Sequence, residues 1–249
     1  MPNSGLDARL EDVRRFYGLM DLLEAGNGGK RSLSTADGRT GWPKRGVYFF
    51  FESGEERSTS GSGQRMVRVG THALKERGTT ILWGRLRAHR GTLAGAYLGG
   101  GNHRTSIFRA HIGFALIARD RWPVEVSGKW SRGSQAAATV RWAEHPLEKS
   151  VSAQIRSMPF LVLAVDDSAG PKSNRARIEA NSIALLSNYG KSENRIDPPS
   201  ERWLGRHSPL PEIRESGLWN VRHVDASYDP GFLDVLESYI ASTRLTASG

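Results

Sequence analysis

The chain has 249 residues, with 35 Lys and Arg against 26 Asp and Glu, a formal net charge of +9 and no cysteine. Disulfides and thiolate metal sites are therefore excluded, and no apolar run reaches membrane-spanning length. The cationic excess favours a polyanionic partner through counterion release, and the opening Met1-Pro2-Asn3-Ser4 lacks the basic-then-apolar pattern of a secretory signal, so a cytoplasmic location is expected.

Residues 7–25 predict a helix, with Leu10, Val13, Phe16, Tyr17, Met20 and Leu23 at helical spacing and Asn27-Gly28-Gly29 as its stop. Residues 26–45 are polar, Gly-rich and basic and read as loop. Gly46-Val47-Tyr48-Phe49-Phe50-Phe51 reads as a buried strand. Residues 52–64 have the low complexity of a mobile loop, and Met66–Gly70 a second strand able to pair with the first as a hairpin. A helix is expected over about 80–90, in which Leu82 and Leu86 pack inward and Arg85 and His89 share a face. Gly99-Gly100-Gly101 breaks the chain, residues 105–118 form an amphipathic helix, and 119–149 carry no clear period except a helix or turn starting at Pro146. Met158–Asp166 is the clearest buried strand. A helix follows over 173–187, then a polar, Pro-rich stretch over 191–215 anchored by Trp203, and a closing helix after Asp229-Pro230. No internal repeat or heptad seam is present, and monomer and homodimer both fit the sequence. The order of elements predicts an α+β fold with a small sheet flanked by helices.

At this point the chain resembles the GIY-YIG nuclease family. Gly46-Val47-Tyr48 is similar to the first hallmark tripeptide, with Val for Ile, and Arg68-Val69-Gly70 stands where the second belongs. Arg85 and His89 resemble the family's helix-borne pair, and Glu179-Ala180-Asn181-Ser182-Ile183 its metal-binding Glu at the start of a later helix. Asn188, with Asn194 second, is the candidate for the Asn that follows that helix. Each motif is weak alone, and the specificity lies in their order. Three features depart from the pattern: Arg68 replaces the second tyrosine, the tripeptides lie far apart, and so do His89 and Glu179.

The resemblance implies a three-stranded, mainly antiparallel sheet with flanking helices over 46–190. It implies an insertion at about 92–157, an N-terminal helix and basic loop over 1–45, and an extension over 191–249 packed on the core. It further implies a Mg²⁺-dependent (or Mn²⁺-dependent) endonuclease that hydrolyses phosphodiester bonds in DNA, with RNA the other admissible polymer. Glu179 would hold the metal, which needs only one carboxylate because Mg²⁺ keeps several waters. Tyr48 would position or deprotonate the attacking water. A free phenol, with a pKa near ~10, needs a neighbouring cation or the metal for that role. Arg85 would bind the scissile phosphate, and His89 would relay a proton or contact the phosphate.

Arg68, His72, Arg87, Arg90, His103, Arg104 and Asn188 are the expected nucleic-acid contacts. The Gly99–Gly101 run followed by Thr105-Ser106 is either an anion-binding nest or a plain loop with a helix cap. His103 and His111 lack carboxylate company for zinc. Trp203 and Trp219 read as loop anchors rather than base platforms. The alternative function is a nucleic-acid-binding module on the same scaffold without catalysis, motivated by Arg68.

Overall fold

The computed structural model describes residues 4–39 and 41–247. In chain order the elements are α1 (Ser4–Asn27), β1 (Arg31–Ser32), β2 (Gly46–Glu56), β3 (Gln64–Gly70), α2 (Leu82–Arg90), α3 (Ile107–Asp120), α4 (Val124–Ser127), α5 (Ala138–Ser157), β4 (Pro159–Ala164), α6 (Asn174–Leu186), α7 (Pro211–Ser216) and α8 (Phe232–Ala247). The strands form one antiparallel sheet in the order β1-β4-β2-β3. The α+β class holds, and the sheet has four strands rather than three. The extra strand, β1, arises inside the expected 26–45 loop, where Arg31 and Ser32 pair with Phe160 and Pro159.

Both faces of the sheet are buried, which is why β2 reads as a continuous apolar run and not an alternating one. Val47, Phe49 and Phe51 face a core shared with α1, α6 and α8, whereas Tyr48 and Phe50 face a second core with α2, α3 and α5. Both cores draw residues from 1–45, 46–190 and 191–249 alike. Val13 and Phe232 lie in the first, and Leu33 and Trp219 in the second.

The 52–64 segment is not the loose loop its composition suggests. Strand β2 runs on to Glu56, and the tip is fastened from far along the chain. One carboxylate oxygen of Asp197 accepts the backbone N–H groups of Ser58, Thr59 and Ser60 at 2.7–2.9 Å. Pro146, expected to begin a helix or turn, lies inside α5. The missing bond is tolerated because Leu147, Val151 and Ile155 on the following turns are wholly buried.

Strand β3 is an edge, and the segment after α7 covers it. An irregularity in the β2–β3 register sits beside Val67, where Phe50 pairs with Arg68 and Phe51 with Met66. The Val67 carbonyl accepts from the Trp219 N–H at 2.7 Å. The Asn220 side chain closes both backbone groups of Val69, donating to its carbonyl at 2.9 Å and accepting from its N–H at 3.2 Å. Backbone groups that an edge strand would leave open are thereby paired.

Candidate active site

Two glycines let the strands carry a tyrosine between them. At Gly46 an added Cβ would fall 2.3 Å from the Leu163 carbonyl oxygen of β4, so only glycine permits the strand contact. At Gly70, directly opposite Tyr48 in the register, an added Cβ would fall 2.3 Å from the Tyr48 hydroxyl. The phenol ring lies across the space that a side chain would fill. Physical requirements of this sheet thus explain the first residue of one tripeptide and the last of the other.

From that position the Tyr48 hydroxyl meets Nε2 of His89 at 2.9 Å, and Nδ1 of His89 meets the Ser106 hydroxyl at 2.7 Å. Helix α2 delivers the imidazole because Leu82, Leu86 and His89 form its buried stripe. Burial, reinforced by the guanidinium groups of Arg85, Arg68 and Arg109, holds the pKa of His89 well below its usual value. The ring is therefore neutral, and it fixes the phenol rather than storing its proton. Arg85, four residues earlier, is half-buried, faces the adjoining cleft and donates to the Thr105 carbonyl at 3.2 Å.

Arg68, the residue standing in for a tyrosine, is buried beside Tyr48 and interacts electrostatically with it, with Arg85 and with Glu179. Its guanidinium lies over the Phe108 ring at 4.6 Å and donates to the Trp219 carbonyl. Its Nε has no protein partner. Glu179, in the second turn of α6, accepts the Thr71 N–H at 3.1 Å, and the Thr71 hydroxyl donates to the Gly46 carbonyl at 2.7 Å. Thr71 therefore ties the carboxylate to the start of β2. Burial raises the pKa of Glu179, while Arg68, the Thr71 N–H, Arg85 and Arg222 oppose that rise.

Tyr48, Arg68, Arg85 and Glu179 line one cleft of about 600 Å³. Four further members, His111, Asn220, Arg222 and His223, were not among the expected site residues. His111 projects from α3, is buried, and has Nδ1 unpartnered. Burial and nearby Arg68 bring its pKa down to about 4. Asn220, Arg222 and His223 come from the segment that covers β3. The Trp219–His223 cluster was visible as a mixture of Trp, Arg and His, but its apposition to β3 depends on pairing across the whole chain.

Other expected contacts lie elsewhere. His103 is buried, with Nδ1 at 2.9 Å from Glu148 and Nε2 accepting the Ser131 N–H at 3.0 Å. Arg104 makes a two-point ion pair with Glu144 at 2.7 and 2.8 Å. Arg90 donates to the Ala36 carbonyl at 2.6 Å and lies over Trp83. Asn188 binds both backbone groups of Ile196 at 2.9 Å. These four side chains are occupied within the fold and do not reach the cleft.

The glycine run is no anion nest either. Gly99 and Gly100 give their N–H groups to the Thr92 and Tyr97 carbonyls, and a Cβ on Gly101 would fall 2.3 Å from the Arg109 guanidinium, so that position admits a buried side chain. Asn194 gives its carbonyl to Arg9 at 3.0 Å, well away from the site. Arg87 is exposed on α2. His72 is buried beside the cleft, its Nε2 at 3.2 Å from the Lys44 carbonyl.

Among the described residues no three His, Asp or Glu side chains gather to form a metal cage. Among the described residues lining the cleft, Glu179 carries the one carboxylate, a donor that suits Mg²⁺ held largely by waters and substrate oxygens. Among the described residues no helix is long and apolar enough to cross a membrane.

No curated protein and no solved structure matches the chain. The GIY-YIG domain does, over residues 7–246, and so takes in the N-terminal helix, the 92–157 segment and the C-terminal segment along with the hairpin. That domain is associated with nuclease activity in general, and hence with a nucleic-acid substrate. With the tripeptide glycines, Tyr48, Arg85 and Glu179 assembled as described and nearly the whole chain matched, the protein belongs to the GIY-YIG family.

Proposed function

We propose that this protein is a divalent-metal-dependent endonuclease that hydrolyses phosphodiester bonds in DNA. The observation that carries the reading is the convergence of a phenol, two guanidinium groups and one carboxylate, from β2, β3, α2 and α6, on a single cleft. Arg85 holds the scissile phosphate with planar donors matched to its oxygens. Tyr48, reacting as the phenolate, orients the attacking water and takes up its proton, with its oxygen fixed by neutral His89. Arg68 supplies the positive charge that stabilises this phenolate before the proton arrives, the task that makes an arginine useful in the second tripeptide. Water adds to phosphorus, the bond from phosphorus to the leaving ester oxygen breaks, and that oxygen takes a proton from solvent. Glu179 would hold a Mg²⁺, which when bound would supply Lewis acidity at the phosphate and the leaving oxygen.

Arg68 also motivates a second reading, a non-catalytic DNA-binding module. One experiment separates the two: supercoiled plasmid is incubated with the protein or Glu179→Ala in Mg²⁺ or EDTA. Nicking that needs both Mg²⁺ and Glu179 is expected. Salt-sensitive binding without nicking by the unaltered protein would favour the binding module, and full nicking by Glu179→Ala would remove the metal assignment. Because burial raises the pKa of Glu179 and a proton there competes with the metal, the Mg²⁺ concentration needed for nicking is expected to rise on acidification.

A further inference from the structure

A second recess, of about 590 Å³, opens beside the cleft and shares Thr71, Leu74 and Arg85 with it. Its remaining walls combine two kinds of surface. Ile81 and Ala88 supply aliphatic carbon, with Ile81 46% exposed, and Thr79, Thr80 and Thr105 supply hydroxyl groups. The loop between β3 and α2 that forms one wall is held in a defined shape by left-handed backbone at Ala73 (φ 54°) and Arg77 (φ 60°). His72, on the same wall, gives Nε2 to the Lys44 carbonyl and leaves Nδ1 without a partner.

Gly84 on α2 also lines the recess. Glycine inside a helix costs about 1 kcal/mol relative to alanine, and here neither steric crowding nor a positive φ requires it. An added Cβ would meet only the Ile81 Cγ1, at an ordinary 3.7 Å. A side chain longer than alanine's at this position would grow into the recess beside Arg85.

We propose that this recess receives the unpaired nucleobase adjoining the scissile phosphate, so that the preferred substrate is DNA with an unpaired or extruded nucleotide at the cut. The inference rests on the nuclease reading of the neighbouring cleft. A phosphate on Arg85 lies at the boundary of the two spaces, and its nucleoside has the recess within reach. Aliphatic walls suit the faces of a base, and hydroxyls suit its polar edge. A base stacked in a regular duplex cannot enter, and extruding one costs a few kcal/mol, least when it is already unpaired.

The test uses the full chain, Gly84→Leu, which grows into the recess, and Gly84→Ala, which restores helix propensity but is too short to fill it. Both variants should melt no lower than the parent. In Mg²⁺, the parent and Gly84→Ala are expected to cut a mismatch bubble about tenfold or more faster than the matched duplex, and Gly84→Leu to lose that preference. In EDTA, a 2-aminopurine at the unpaired position should brighten when the parent binds and stay unchanged with Gly84→Leu. Binding without brightening, or a Gly84→Leu variant that retains both effects, overturns the proposal. Brightening with no cutting of any DNA in Mg²⁺ would support the subsite and overturn the nuclease reading instead.

Discussion

Tyr48 does two jobs that pull on the same neighbours. It is a wholly buried aromatic in a strand and also the cleft's only phenol among the described residues. The two roles coexist because Gly70 leaves its ring a channel from the core to the cleft. Gly70→Ala sets a methyl group against the phenol and must displace it. We expect a loss of about tenfold or more in cleavage rate, with DNA affinity largely kept, as read in single-turnover cutting and a gel-shift titration. Unchanged cutting would mean that the phenol position is immaterial. At this scale much of the site was legible in the sequence: Tyr48, Arg85, His89 and Glu179 stand together as their order along the chain implied. Three of the basic residues read as DNA contacts were not legible in the same way. Arg104, Arg90 and His103 have carboxylate, carbonyl or amide partners far away in the sequence. A cation looks free until its partner is known.

Among the elements, the β2–β3 hairpin departs furthest from its composition. A Ser/Gly-rich tip predicts motion, yet Asp197 gathers three of its amides. Removing that carboxylate leaves the N–H and hydroxyl of buried Ser60 unpaired and frees the N–H groups of Ser58 and Thr59. Asp197→Ala is expected to cost about 2–3 kcal/mol, equivalent to roughly 5–10 °C in melting midpoint. Hydrogen exchange should accelerate at residues 58–60, and protection there equal to the parent would contradict the assignment. The long elements were legible, since α1, α3 and β4 carry strong apolar periods or runs. The two-residue β1 was not, because its strand character comes from β4 and not from its own residues. Helix α5 hid its first half because Pro146 is a stop signal that tertiary packing overrides.

For the molecule as a whole, the buried titratable groups set a direction with pH. Burial lowers the pKa of His72 and His111 from 6.5 to about 4 each, and that of His89 well below 6.5. Neutral in the fold, these rings take up protons more readily when the chain unfolds. Their contribution to stability is complete above about pH 6.5 and is lost as pH falls toward 4. Glu52 and Glu179, raised by burial, act in the opposite sense, but the histidines are more numerous and begin to titrate at higher pH. The melting midpoint should therefore be lower at pH 5 than at pH 7.5, and Phe at His111 should flatten that dependence. A midpoint that rises on acidification would show the carboxylates in control.

The strap across β3 also imposes an order of events on synthesis. Residues 217–223 cover the sheet edge, give Arg68 its carbonyl partner and supply one wall of the cleft. A nascent chain that still lacks them has its hairpin and its tyrosine but an open strand edge and an unfinished wall. Such a chain is exposed to pairing with other strands before it is able to grip a nucleic acid. In the nuclease reading the cleft is therefore complete only once residues 217–223 have been made, well after the hairpin and its tyrosine.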